Sequence, residues 1–303
     1  MTAAEHPVFR AGFACFVGRP NAGKSTLTNA LVGAKVAIMS DRPQTTRHAV
    51  RGIVNRPDAQ LVLVDTPGFH KPRTLLGERL NDVVLSTLSE VDVIAFCLPA
   101  NEKVGPGDRF IATQLGEVAR RTPVVAVVTK TDIAGRDVVA ERLVEASQLG
   151  EWADVVPVSA KDGFQVGLLA DLLVARLPEG RRLYPDGELT DEPERVMVAE
   201  LIREAALEGV RDELPHSIAV VVEEMGPGAS REDVVVIEAY LFVERDSQKG
   251  IVIGTGGARL REVGAAARRQ IEALLGSKVY LDLRVKVAKD WQRDPKQLRR
   301  LGF

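Results

Sequence analysis

The segment Gly18-Arg19-Pro20-Asn21-Ala22-Gly23-Lys24-Ser25 constrains this chain more than any other. It has the pattern G-x-x-x-x-G-K-S. An apolar run from Gly12 to Val17 precedes it, and a helix-forming run from Ser25 to Val32 follows. A strand that feeds a glycine-rich loop and then a helix turns successive backbone N–H groups inward, as a nest for phosphate oxygens. The helix N-terminus adds the positive end of its dipole. Lys24 supplies a point charge for the outer phosphates, and the Ser25 hydroxyl suits Mg²⁺. Gly18, Asn21, Ala22, Gly23, Lys24, Ser25 and Thr26 are therefore expected to line a site for a nucleoside phosphate.

Residues 9–178 alternate between two periods. Short apolar runs at 12–18, 48–54, 60–65, 92–98, 123–129 and 154–158 read as strands. Amphipathic stretches at 24–33, 76–90, 107–120, 137–149 and 165–177 read as helices. Strands joined by helical crossovers imply an α/β domain, a doubly wound and mostly parallel sheet covered on both faces. Ligands of such sheets bind at the carboxyl ends of the strands. The polar motifs fall at those ends.

Asp65-Thr66-Pro67-Gly68 follows the strand at 60–65. Its carboxylate can hold Mg²⁺ and the Gly68 N–H can touch a γ-phosphate. Thr129-Lys130-Thr131-Asp132 follows the strand at 123–129 and is similar to an N-K-x-D signature. A buried Asp132 carboxylate would accept two hydrogen bonds from guanine N1–H and the N2 amine, which adenine does not offer. The Lys130 stem would pack along the base. A backbone N–H in Ser159-Ala160-Lys161, after the last strand, would reach the guanine O6. Each tripeptide alone fits an ordinary strand-end turn; their joint order carries the reading.

On these motifs residues 9–178 resemble a GTPase domain of the translation-factor class. The resemblance implies GTP and GDP as ligands with Mg²⁺, and Lys24, Asn21 and Thr46 as the groups serving hydrolysis. Ser25 and Asp65 are the metal residues it implies, with a hydroxyl from either Thr46 or Thr45. Residues 36–48, which include Pro43-Gln44-Thr45-Thr46-Arg47, read as a first switch, and residues 66–78 as a second. Two positions depart from the pattern. Thr129 stands where Asn is usual, which places the contact to purine N7 and the bridge to the phosphate loop in question. Phe69 stands where a water-orienting Gln is common, so catalysis falls to backbone, a cation or a partner. In some GTPases with an apolar residue there, a phosphate-loop Asn helps to hold K⁺. Asn21 occupies that place, and K⁺ is an optional second cation. Unassisted hydrolysis is expected to take minutes or longer per turnover, on the order of other unassisted switches.

Residues 179–192, rich in Pro, Gly and acid, read as a linker. Residues 193–303 then run α-β-β-α-α-β, with a helix at about 194–209, strands at 218–224, 234–243 and 278–287, and a helix at about 258–275. Charge divides steeply inside this unit. Residues 191–244 carry 4 basic and 14 acidic groups, and residues 245–303 carry 14 basic and 6 acidic. A solvated basic helix would explain part of that. The loop Ile253-Gly254-Thr255-Gly256-Gly257 before the helix adds a phosphate-approach element. The unit resembles a type II KH domain, an α+β module whose G-x-x-G loop clamps a nucleotide backbone. Lys249, Ile253, Gly254, Thr255, Gly256, Gly257, Arg259 and Arg261 are the expected RNA-facing residues, with Arg268 and Arg269 as further phosphate contacts and Ile251 and Leu260 as apolar floor. Propensity makes 248–253 a strand; the resemblance makes it a short helix. Trp291 reads as a packing residue, and the tail 298–303 as basic and mobile.

GTPase, linker and type II KH in this order are similar to the bacterial Era family over almost the whole chain. The resemblance implies a switch in assembly of the small ribosomal subunit, with the 3′ end of 16S ribosomal RNA as partner, and a monomer. Two other readings stay open: an RNA chaperone with a structural nucleotide, and a GTPase with weak peripheral membrane contact. Net charge is −2 over 303 residues, so whole-chain charge selects no partner. Two cysteines, Cys15 and Cys97, lie in apolar runs and fit buried thiols in a reducing compartment. With no basic-then-apolar leader and no apolar run of about 18 residues, a cytoplasmic location is expected, partly on the inner face of the membrane if that contact holds.

Overall fold

The structure, a computed structural model, describes residues 8–40, 42, 45–72, 74–118, 121–210, 214–228 and 231–303. Pro43 and Gln44 of the first switch lie outside the described residues. The chain divides into two compact units. The first comprises Met1–Met39, Thr46–Pro72 and Arg79–Asp191; the second comprises Ser40–Thr45, Arg73–Glu78 and Glu192–Phe303.

The first unit contains β1 (Arg10–Val17), α1 (Lys24–Val32), β2 (Val50–Asn55), β3 (Ala59–Asp65), α2 (Leu75–Glu90, its first turn grouped with the second unit), β4 (Val93–Pro99), α3 (Pro106–Val118), β5 (Val124–Thr129), α4 (Arg136–Ser147), β6 (Asp154–Pro157) and α5 (Val166–Val174). The sheet order is β2-β3-β1-β4-β5-β6. Strand β2 is antiparallel to β3, and the other pairings are parallel. Strands β3, β4 and β5 are buried at every residue, as a sheet covered on both faces requires. On one face Ala14 and Phe16 pack with Leu27 and Leu31 of α1 and Leu169 and Leu173 of α5. On the other, Cys15 and Val17 meet Val84 and Leu88 of α2 and Ile111 and Leu115 of α3. Each such leucine contributes about 1.5–3 kcal/mol by leaving water. The order reverses around β1, so the loop after β1 sits at the topological switch point where doubly wound sheets bind ligands.

The stretch read as a linker is not a free tether over 183–190. Leu183 and Tyr184 donate their N–H groups to Gln60 Oε1 at 2.7 and 2.9 Å. Ile53 N–H donates to the Leu189 carbonyl at 2.8 Å, and Asn55 Nδ2 to the Glu188 carbonyl at 2.8 Å. Strand β2 is an edge, and an edge leaves backbone groups that a neighbouring segment can satisfy.

The second unit contains α6 (Glu194–Leu207), α7 (Leu214–Ser217), β7 (Ala219–Gly228), β8 (Arg231–Val243), α8 (Asp246–Ile253), α9 (Ala258–Leu275), β9 (Lys278–Val287) and α10 (Pro295–Arg300). Its sheet is β7-β8-β9, with β8 antiparallel to β7 and parallel to β9. Sequence makes Gly226-Pro227-Gly228 a turn between the strands at 218–224 and 234–243; in the structure these residues complete β7. The strand propensity of 248–253 is overridden. Gln248 Oε1 accepts from the N–H groups of Glu244 and Arg245 at 2.9 and 3.0 Å, which fixes the first turn of α8, and Val252 is buried beneath it. The expectation of a mobile tail is also overturned. Asp294 caps α10 by accepting from Lys296 N–H at 2.8 Å, Pro295 opens the helix, and Leu298 is fully buried. Phe303 stacks on Trp291 at 5.5 Å between ring centroids. Trp291 is itself completely buried and donates Nε1–H to the Ser217 carbonyl at 3.0 Å, so it packs the unit and is not open to a base.

Candidate nucleotide site and nucleic-acid loop

Gly18–Lys24 bridge β1 and α1 as the pattern requires. The Lys24 ammonium is buried and donates to the carbonyls of Gly18 at 3.2 Å and Arg19 at 3.0 Å. Burial lowers its pKa, against the opposing pull of Asp65 and Cys97. A buried ammonium curled onto its own loop is held by weak acceptors, which a phosphate oxygen would outbid.

Ser25, Thr46 and Asp65 converge. Ser25 Oγ–H donates to Asp65 Oδ2 at 2.7 Å, Thr46 Oγ1–H to the same oxygen at 3.1 Å, and the two hydroxyls lie 3.0 Å apart. The second Asp65 oxygen, Oδ1, is buried with no hydrogen-bond partner. Burial raises the Asp65 pKa, and Lys24, Ser25 and Thr46 pull it back. An orphaned, fully buried carboxylate oxygen beside two hydroxyls is a hard-oxygen donor set, which fits Mg²⁺. When bound, Mg²⁺ would neutralise phosphate charge there, with these three residues in its shell. Sequence spacing left Thr45 and Thr46 equivalent; the structure separates them. The Thr45 hydroxyl donates to the carbonyls of Ser40 and Arg42, at 3.3 and 2.6 Å, away from Asp65.

Around the site the backbone is pinned. Thr66 Oγ1–H donates to the Phe16 carbonyl at 2.7 Å, and Phe69 N–H to the Gly18 carbonyl at 3.1 Å. The Phe69 ring is buried against the α2/α3 cluster and lies 5.6 Å from Phe110. It orients no water. Asn21 takes a left-handed backbone conformation, φ 62°, which shapes the loop. One anchor escaped the sequence reading. Asn29 of α1 accepts from Val36 and Ala37 N–H, both at 2.9 Å, and donates Nδ2–H to the Ala37 carbonyl at 2.7 Å, fixing the start of the first switch. Its only sequence signal is a weak helix former inside a helix.

At the base end, Thr129 Oγ1–H donates to the Ala22 carbonyl at 2.7 Å. The bridge to the phosphate loop thus survives without an amide. Asp132 accepts from Ser159 Oγ–H at 3.0 Å, which aims the carboxylate. Ser159 is buried, whereas Asp132 is exposed rather than buried as expected. The carboxylate waits at the rim. Ala160 is half-buried and Lys161 exposed beside it, and Lys130 holds a left-handed backbone, φ 58°. Both cysteines are buried, and burial pushes the Cys97 thiol up to about 12, so neither acts as a nucleophile or ligand.

In the second unit the loop 254–257 opens α9. Gly254 has φ 72°, and a Cβ there would sit 2.8 Å from the Arg259 Cβ, so this turn needs glycine. Thr255 and Gly256 are exposed, Lys249, Ile253 and Leu260 partly so, and Ile251 is 56% exposed. The two arginines of the loop are engaged. Arg259 donates to the Glu208 carbonyl at 2.6 Å, at the end of α6, and Arg261 to the Gly256 carbonyl at 2.8 Å. Arg268 and Arg269 are exposed on α9.

The two units have counterparts among known proteins. Residues 13–130 match the profile of a 50S ribosome-binding GTPase and residues 213–292 that of a KH domain. The chain is 71% identical to GTPase Era of Streptomyces coelicolor, across 98% of this chain and 96% of that one. It is 68% identical to GTPase Era of a Nocardioides species, across 98% and 97%. A crystal structure of Era in complex with MgGDPNP and nucleotides 1506–1542 of 16S ribosomal RNA superposes with a TM-score of 0.93 at 38% identity, covering 97% of this chain and 99% of that one. An Era variant from Aquifex aeolicus bound to GDP·AlF4⁻ gives the same score, identity and coverage.

Proposed function

The chain belongs to the GTPase Era family, and from that premise we propose that it is a GTP-dependent switch that binds the 3′ end of 16S ribosomal RNA during small-subunit assembly. GTP hydrolysis with Mg²⁺ is the family's chemistry. Convergence of Ser25, Thr46 and the orphaned Asp65 oxygen beside Lys24 is the observation that carries the reading. Lys24 and the loop N–H groups neutralise the phosphates, and the work is positioning and charge stabilisation. Asp132, aimed by Ser159, selects guanine. Asn21 is the residue that would face K⁺, and potassium replaced by sodium tests it through the hydrolysis rate. On the RNA side the loop 254–257 and Lys249 approach the backbone; support for an RNA partner comes from the relative solved in complex with nucleotides 1506–1542 of 16S ribosomal RNA.

The switch has a physical route. Thr46 bonds to Asp65 inside the first unit, and its chain neighbour Thr45 belongs to the second. There Arg203 of α6, buried and paired with Glu200, donates to the Thr45 carbonyl. A hydroxyl that follows Mg²⁺ and the γ-phosphate therefore pulls on a carbonyl held by the RNA-binding unit. The chain acts as a cytoplasmic monomer, with only weak, salt-sensitive contact at the inner membrane face; light scattering and liposome sedimentation at two ionic strengths check both. The central test is anisotropy of a labelled oligonucleotide from the 16S 3′ end. Affinity should differ by about 5-fold or more, a coupling of about 1 kcal/mol, between protein loaded with GTP analogue and with GDP. Equal affinities overturn the switch.

A further inference from the structure

Arg19 is the second residue of the phosphate loop, and its side chain leaves the loop entirely. Its Nε–H donates to Asp108 Oδ1 of α3 at 2.7 Å, and its Nη2 lies 3.0 Å from Glu102 Oε2. Asp108 is fully buried, and its other oxygen accepts from Gly105 N–H at 2.9 Å. The Arg19 stem runs so close to α3 that a Cβ on Gly107 would lie 2.8 Å from Arg19 Cδ. A buried carboxylate paired in this way is worth little as net stability but fixes geometry strongly.

What it fixes is the rim of the loop. Pro20, next in the chain, abuts Gly68, where a Cβ would come within 2.8 Å of Pro20 Cα. The Arg19 carbonyl is one of the two that hold the Lys24 ammonium, at 3.0 Å. The same helix holds the second switch, because Phe69 packs on Phe110, two residues beyond Asp108. Lys24 and the Gly68 N–H are two groups that the nucleotide reading assigns to a γ-phosphate. Both are thus referenced to the first turns of α3, one through Arg19–Asp108 and one through Phe69–Phe110.

We propose that Arg19 and Asp108 are positioning residues for hydrolysis, holding the phosphate-loop rim and Gly68 at the spacing that a γ-phosphate requires. The proposal rests on the nucleotide reading above. It explains how a site with Phe at 69 keeps its geometry: the apolar ring that cannot orient water serves as the second leg of the anchor. The Arg19 side chain is turned onto Asp108 and Glu102, away from Gly23 to Ser25, so binding of the α- and β-phosphates there should not depend on the tether.

The test compares Arg19→Ala, Arg19→Lys and Asp108→Asn in the full chain with Mg²⁺. For Arg19→Ala and Asp108→Asn, kcat for GTP hydrolysis should fall about 10-fold or more with KM changed less than about 3-fold, as loss of alignment without loss of binding produces. The affinity ratio of GTP analogue to GDP should fall by no more than that same 3-fold, with GDP affinity retained. The double variant should be no slower than either single one, because the pair acts as a unit. Arg19→Lys, which keeps the charge without the planar fork, should recover part of kcat. A kcat within twofold of the parent in the folded variants, or equal weakening of both nucleotides, overturns the proposal. Should Arg19→Ala fail to fold, Asp108→Asn and Arg19→Lys decide by the same criteria. Loss of GDP binding in the parent protein would instead strike the nucleotide reading itself.

Discussion

The nucleotide cradle and the G-x-x-G loop both turn glycine-rich backbone toward phosphate, yet they are built in opposite ways. The cradle is deep and already wired. Lys24, Thr46, Asp65 and Thr129 are buried, and their hydrogen bonds run to one another or to neighbouring carbonyls. The second loop is open: Thr255 and Gly256 are exposed, and the nearby arginines are spent on carbonyls. A small ligand with concentrated charge can be enclosed, so preorganised buried groups act at low dielectric. A polymer has to lie across a surface, so its site trades depth for access and draws affinity from salt-sensitive charge.

That contrast can be broken most sharply at the base end. Asp132→Ala removes an acceptor of two charge-assisted hydrogen bonds, each worth about 1.5–3 kcal/mol. GTP affinity should fall by about 10²–10⁴-fold and preference over ATP should vanish in competition binding. Retained preference would mean that guanine is read elsewhere. Next in size is the hydroxyl pair. Thr46→Val should slow Mg²⁺-dependent phosphate release by about 10- to 100-fold, whereas Thr45→Val, whose hydroxyl faces the Ser40 and Arg42 carbonyls, should change it less than about 3-fold. Equal effects would undo the assignment of Thr46. The smallest effects belong to the open loop. Lys249→Gln should weaken RNA binding by only about 2- to 5-fold and reduce the salt slope by about 0.7. Arg259→Gln, which uncaps α6, should lower the unfolding midpoint and leave that slope nearly unchanged. A slope change for Arg259 matching that for Lys249 would show that its guanidinium swings out to phosphate.

Local sequence carried the first region well because its signals are local. A glycine loop between a strand and a helix, and carboxylates at strand ends, are constraints that a few adjacent residues impose by themselves. Arg19 shows where that stops. A lone arginine in a loop gives no sign of the aspartate 89 positions later that holds it. Asn29 likewise carries no local sign of the Val36 and Ala37 backbone it holds. In the second region the tail was misread for the same reason. Its basic residues suggested solvation, although Asp294-Pro295 was a legible start signal for α10; the anchor beneath it, Trp291 stacked on Phe303, donates to the Ser217 carbonyl 74 positions earlier.

The amino-acid sequence by itself determined the alternation of strands and helices, the place of the phosphate loop and the identity of the groups that meet phosphate and guanine, because those follow from neighbours within a few residues. Tertiary structure alone decided which threonine faces Asp65, that Thr129 can bridge to Ala22 without an amide, and which arginines remain for phosphate. Those outcomes turn on distances between side chains brought together by packing, and a hydrogen bond is won or lost within a few tenths of an ångström.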